Sequence, residues 1–143
     1  MICVSGTPGT GKTTYAMKLA KEKKYEYVDV IALIKNERLT LGYDKKLKSL
    51  IADVPKLVKR LEGLIKTSKA KGVVIDSHLS HYLSPKLVDQ CIIMKTPIPK
   101  LRQRLKKRKY SLAKIQENVD AENFDVCYNE AVELGHTVKV VTS

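Results

Sequence analysis

The sequence predicts an α/β fold with a five-stranded parallel sheet flanked by helices, and three observations lead there. Short apolar runs at residues 1–5, 25–30, 73–76, 91–94 and 137–141 alternate with stretches of helical apolar spacing. The run Val73-Val74-Ile75-Asp76 has no polar break before its terminal acid, as expected of a central parallel strand covered on both faces. Between the first apolar run and the first helical stretch stands Gly6-Thr7-Pro8-Gly9-Thr10-Gly11-Lys12-Thr13. Its spacing is G-x-x-x-x-G-K-[ST], the phosphate-binding P-loop, whose required context is a buried strand before it and a helix after it.

The elements follow in order. Met1-Ile2-Cys3-Val4-Ser5 is the first strand. From Thr13 to Lys21, Ala16, Met17, Leu19 and Ala20 cluster on one helical face, opposite Lys18, Lys21 and Glu22. Residues 25–30 form the second strand, and Ile31–Lys35 a short helical piece. Residues 38–54 are mixed, with Gly42 marking a turn, and read as the mobile segment of the first half. Pro55 suits a first helical turn capped by Asp53, and Leu57, Val58, Leu61, Leu64 and Ile65 carry that helix to Ser68. Pro97 and Pro99 open a basic helix to Lys109, and Ser111 caps a further helix running to about Leu134, where Gly135 stops it.

The 143 residues make one domain, 1–143, large enough for a real core. No run approaches the ~18 apolar residues of a membrane span. No leader peptide is read at the start, which points to a cytoplasmic protein. Cys3, Cys91 and Cys127 are far apart in the chain and form no C-x-x-C, and the first two lie in strand-like runs as core residues. The formal net charge of +12 exceeds what one nucleotide site uses. It points either to a polyanionic partner such as RNA or to a lysine-rich solvated surface.

The chemistry of the loop follows from its shape. Successive backbone N–H groups, with the N-terminus of the following helix, favour phosphate there. Lys12 reaches the β- and γ-phosphates, and the Thr13 hydroxyl is placed to ligate Mg²⁺. Asp76, at the end of an apolar strand, matches the Walker B carboxylate that helps hold Mg²⁺ beside that threonine; a turn or cap residue is the other reading. His78 lies just past the strand end, where it either orients a water or the γ-phosphate or hydrogen-bonds Asp76. His78 and His81 lack a third ligand for a metal. The basic segment 100–110 holds seven cations in eleven residues, with Leu101 and Leu105 to anchor it. Arg104 and Arg108 share a face and suit a lid over the phosphates, while Lys106, Lys107 and Lys109 read equally as a solvated or RNA-binding face.

Gly6 to Thr14, Gly42-Tyr43-Asp44, Asp76-x-His78, Arg104-Leu105-(x)₂-Arg108-x-Tyr110, Lys114-Ile115-x-Glu117-Asn118 and Ala121-Glu122 together resemble one family. It is the adenylate kinase isoenzyme six family, also called the coilin-interacting nuclear ATPase protein family, and the resemblance spans residues 2 to about 134. It implies a three-layer P-loop NTPase / nucleoside-monophosphate kinase fold, with a monophosphate arm at about 29–53 and a lid at about 104–114. It implies ATP and Mg²⁺ as cofactors, AMP or another NMP as acceptor, and an added ATPase activity. It also implies work in small ribosomal subunit maturation with a small-subunit ribosomal protein, possible rRNA contact and no membrane. Carried over by position, Gly9, Thr10, Gly11, Lys12, Thr13 and Thr14 bind ATP. Arg108 is the lid arginine on ATP, Thr13 and Asp76 serve the metal, and Lys12, Asp76, His78, Arg104 and Arg108 are catalytic. The chain departs from the family pattern at Lys109, where a lid glycine is common, and at Lys45-Lys46-Leu47-Lys48, where the arm is usually acidic. It ends after the last strand, where a further helix is common. Lys35 and Arg38 are the arm's nearby candidates to meet the acceptor phosphate. Two reactions suit this set: phosphoryl transfer to a monophosphate, or hydrolysis coupled to assembly. A kinase of RNA ends is a third, weaker fit.

Overall fold

A computed structural model describes residues 1–143. The main sheet has five parallel strands: β1 (Ile2–Gly6), β2 (Glu26–Asp29), β5 (Val73–Asp76), β6 (Gln90–Lys95) and β7 (Val138–Thr142). Their order is β2-β5-β1-β6-β7. β1 therefore lies between β5 and β6, in register Val4↔Asp76 and Val4↔Ile92. The chain leaves β1 at the point where the sheet order reverses, which is where open α/β sheets bind ligands.

Alternation along the buried strands divides the core into two layers. Cys3, Val73, Ile75, Cys91 and Ile93 face one side, against Val30 and Ile34 of α2 (Val30–Glu37), Leu57 and Leu61 of α3 (Val54–Thr67), and Ala131 of α6 (Val126–Glu133). Ile2, Val4, Val74, Ile92 and Met94 face the other side, against Ala16 and Ala20 of α1 (Lys12–Lys23). Met17 is exposed rather than on the buried face of α1. A third small core joins Leu101 and Leu105 of α4 (Ile98–Lys107) to Ile115 and Val119 of α5 (Leu112–Asn123). Cys3 and Cys91 are buried, in line with the sequence expectation, and Cys127 is half-buried.

The caps at Asp53 and Ser111 form as expected: each side chain accepts the backbone N–H three residues on, at 3.3 and 3.2 Å. Three expectations need correction. Residues 38–54 hold an antiparallel hairpin, β3 (Thr40–Asp44) and β4 (Ser49–Ala52), instead of irregular chain. Gly42 lies inside β3 beside a register irregularity, and the turn falls at 45–48, where Asp44 accepts the Leu47 N–H and Lys48 takes φ 51°. The helix expected from Ser111 to about Leu134 is two helices, α5 and α6. The Lys95 ammonium and the Asp125 N–H both occupy the Glu122 carbonyl, and Asp125 turns to φ 51°, which ends α5. The basic helix stops at Lys107 instead of Lys109, because Lys109 adopts φ 60°. No helix is long and apolar enough to cross a membrane.

Candidate functional site

The loop after β1 is held by close packing that only glycine permits. A Cβ on Gly6 would sit 2.6 Å from the Met94 carbonyl oxygen, and one on Gly9 would sit 2.9 Å from Leu101 Cδ1. Both residues take positive φ, 140° and 92°. The Thr10 hydroxyl closes the loop by donating to the Thr7 carbonyl at 2.7 Å. Gly11 precedes α1 at φ 85°, so the first N–H groups of α1 are presented at the loop. This backbone cradle suits a polyphosphate.

Lys12 donates from Nζ to the Thr7 carbonyl at 3.1 Å, which holds its ammonium over the loop. Burial pushes its pKa down to about 8; Arg108 pushes the same way, and Asp76 opposes. Thr13 Oγ1 donates to Asp76 Oδ2 at 2.7 Å, so the loop hydroxyl and the β5 carboxylate meet directly. Tyr27 OH donates to the same Oδ2 at 2.8 Å. Burial and then Asp76 raise the Tyr27 phenol well above its ordinary pKa, so it remains a donor. Thr13 and Asp76 offer hard oxygen donors side by side, a set that fits Mg²⁺.

His78 follows β5 with its ring open to solvent and no hydrogen bond to Asp76. Tyr27 fills the position that the hydrogen-bonding reading gave to His78. The protein atoms packed around the base of the side chain, and then the Lys12 ammonium, lower the His78 pKa, which keeps the imidazole neutral. His81 is a buried structural group. Its Nδ1 pairs with Ser5 Oγ at 2.7 Å and its Nε2 with Glu130 Oε2 at 2.8 Å. No group of metal-binding side chains includes it.

The two lid arginines separate. Arg104 is half-buried on α4, and its Nη1 donates to the Gly9 carbonyl at 3.1 Å and to Ser143 Oγ at 3.0 Å. Ser143 Oγ in turn donates to the Thr10 carbonyl at 2.9 Å. Arg104 is thus placed as a brace behind the loop instead of a group free to close over it, because α4 carries it against the loop backbone. Arg108 caps the end of α4, is exposed, and is near enough to Lys12 to oppose its charge. The expected lid is a short turn, 108–111, between α4 and α5. A cleft of about 650 Å³ opens beside it, with Gly11, Thr14, Tyr15, Arg104, Arg108 and Ser143 among its lining residues.

Sequence reading did not assign Tyr27 or Glu122. Glu122 is buried on α5 and accepts Thr7 Oγ1 at 3.2 Å, the Thr96 N–H at 2.7 Å and Lys95 Nζ at 2.9 Å. The available signal for Glu122 was an acid on the apolar-spaced face of α5, three residues beyond Val119.

A family model described as AAA domain matches residues 2–125. The adenylate kinase isoenzyme 6 homolog of Schizosaccharomyces pombe is 38% identical over 132 residues, covering 92% of this chain and 74% of that protein. The adenylate kinase isoenzyme 6 homolog of Dictyostelium discoideum is 32% identical over 130 residues, covering 91% and 73%. A Methanosarcina acetivorans protein is 38% identical over 137 residues, covering 93% and 72%. Among solved structures, shikimate kinase from Acinetobacter baumannii in complex with shikimate superposes with a TM-score of 0.66 at 15% identity, over 99% of this chain and 83% of that one. Deoxyadenosine kinase from M. mycoides with bound dATP gives 0.57 at 14%, over 99% and 90%. At these identities the structures speak for the fold alone, that of P-loop NTPase kinases.

Proposed function

The chain belongs to the adenylate kinase isoenzyme 6 family, and we propose that it transfers the γ-phosphoryl group of ATP to AMP or a related nucleoside monophosphate. The observation that carries this reading is the 2.7 Å contact of Thr13 with Asp76 beside the Lys12 ammonium. It puts the metal-side pair and the phosphate cation at the end of one strand pair. In the reaction, the bond from the γ-phosphorus to the β,γ-bridging oxygen breaks, and a bond to an acceptor phosphate oxygen forms. ADP leaves from the donor side and the nucleoside diphosphate of the acceptor from the other, which is also ADP when the acceptor is AMP. Thr13 and Asp76 would hold Mg²⁺, which would supply neutralisation of phosphate charge when bound. The loop N–H groups and Lys12 bind the β- and γ-phosphates. Arg108 meets the charge that spreads over the equatorial oxygens, and the turn that carries it limits water. Arg104, from behind, fixes the Gly9 and Ser143 positions.

A second reading, an ATPase acting in small ribosomal subunit maturation, draws on two observations. His78 is neutral and open to solvent beside the loop, where its free ring nitrogen can accept a hydrogen bond from an attacking water. The chain also carries +12 of net charge, more than the nucleotide needs, which suits a ribosomal protein–rRNA environment.

One experiment separates the acceptors. The protein is mixed with ATP and Mg²⁺, with and without AMP, and ADP and free phosphate are followed. Two ADP per AMP without free phosphate is the expected result. Phosphate release that ignores AMP would place water as the main acceptor. Turnover surviving Lys12→Ala would remove the loop from either reaction.

A further inference from the structure

Lys114 is a half-buried cation with no acidic partner. The ion pairs of the chain engage Lys95, Arg60, His81 and the N-terminal amine, and none includes Lys114. Its position is nevertheless defined. Ser111 caps α5 by accepting the Lys114 N–H at 3.2 Å, which fixes the backbone. The ammonium lies 4.1 Å from the centre of the Tyr110 ring, on the turn that carries Arg108. The same Nζ is 3.5 Å from the carbonyl oxygen of Lys48, at the tip of the β3–β4 hairpin. Its charge is also felt by His78.

These contacts locate the ammonium. It stands between the hairpin arm and the lid turn, facing the segment after β5. Lys114, Lys48 and His78 do not line the 650 Å³ cleft that contains Thr14, Tyr15 and Ser143. Lys114 therefore lies outside that cleft. Holding a lysine in one place costs side-chain entropy. An aromatic face and a long carbonyl contact satisfy only part of an ammonium with three donors. The remaining capacity points into the space between arm and lid, where an anion would meet it.

We propose that Lys114 binds the phosphate of the acceptor nucleotide and couples arm to lid as it does so. The ligand class is a nucleoside phosphomonoester, and the contact is a charge-assisted hydrogen bond from Nζ to a non-bridging phosphate oxygen. The Lys48 carbonyl is a weak stand-in for that oxygen, since it carries no net charge. Binding the acceptor exchanges carbonyl for phosphate while Tyr110 keeps its place under the ammonium. This deepens the monophosphate-kinase reading and rests on it.

The test compares wild type with Lys114→Met and Lys114→Arg. ADP formation is measured with AMP and ATP varied separately, and AMP and adenosine binding are measured by calorimetry. Lys114→Met is expected to raise the KM for AMP at least about tenfold while the KM for ATP stays within about twofold. Adenosine, which lacks the phosphate, should bind wild type and variant alike, and Lys114→Arg should recover most of the AMP affinity. An unchanged AMP KM overturns the proposal, as does equal weakening of AMP and adenosine, or loss of ATP and AMP together. If wild type makes no ADP from AMP, the kinase reading falls by itself. AMP calorimetry then decides Lys114: equal AMP affinity in wild type and Lys114→Met overturns its role, and weaker AMP binding with adenosine unaffected sustains it.

Discussion

Glu122 on α5 accepts the hydroxyl of Thr7 in the phosphate loop at 3.2 Å, across 115 positions of chain. The same buried carboxylate takes the Thr96 N–H and the Lys95 ammonium, so its acceptor capacity is used from three directions. The loop is thus set from behind by a carboxylate whose own bonds go to the protein on the buried side.

Glu122→Gln keeps the shape and removes the charge. One bond to a charged partner weakens and one amide N–H group faces donors, at a cost of about 1.5–3 kcal/mol. Chemical denaturation should show the loss as a lower midpoint, and ATP affinity should fall with it as Thr7 is released. A midpoint equal to wild type would mean that the carboxylate does not hold the loop.

Arg104 and Arg108 should part company under mutation. Arg104 bonds Gly9 and Ser143 from the one Nη1 at the end of its planar guanidinium, and the shorter lysine stem does not carry a tetrahedral ammonium to that point in the same geometry. Arg104→Lys is expected to lower the unfolding midpoint and raise the KM for ATP, with kcat reduced little. Arg108→Ala, at an exposed cap, should leave the midpoint in place and reduce kcat by about a hundredfold or more, as removal of a transition-state arginine does. Matching profiles for the two variants would contradict the division into brace and lid.

The lowered pKa of Lys12, about 8, sets a pH dependence for ATP binding. The triphosphate prefers the ammonium form, so bound ATP raises that pKa. Below pH 8 the free lysine is already protonated and affinity is flat. Above it, the free protein has lost the proton that the complex keeps, and affinity falls by about tenfold per pH unit until the complex also titrates. Calorimetry in two buffers of different ionisation enthalpy should therefore report proton uptake on binding near pH 8.5. Proton release, or none, would place the Lys12 pKa elsewhere.

Tyr27→Phe deletes the 2.8 Å bond to Asp76 Oδ2 and leaves the Thr13 bond intact. The carboxylate loses one of two fixed donors and its orientation loosens. Half-saturation by Mg²⁺ in the steady-state rate should move up several-fold, with rates near wild type at saturating metal. A metal dependence identical to wild type would show that Thr13 alone orients Asp76.

Much of the molecule was legible from local spacing. Gly6 to Thr13 lie within eight consecutive residues, and their meaning depends on backbone conformation over that span. The strands at 73–76 and 91–94 were legible because their side chains are buried on both faces. The hairpin at 40–52 was not, because its residues are largely exposed and its lysines and Gly42 mask the alternation. The break at Phe124–Asp125 was hidden too. Nothing in the local pattern shows that Lys95, from β6, will take the Glu122 carbonyl.

By itself, the sequence determined that a polyphosphate loop joins a buried strand to a helix within an alternating α/β chain. Those features need only neighbours a few residues apart. The tertiary structure decided which distant groups serve that loop. Parallel register sets Val4 beside Asp76, and this brings the β5 carboxylate to Thr13 and Tyr27. Packing of α4 and α5 against the loop turns Arg104 into a brace and makes Glu122 an anchor. Such pairings depend on strand order and helix docking, which act across the whole chain and leave no mark in the spacing of adjacent residues.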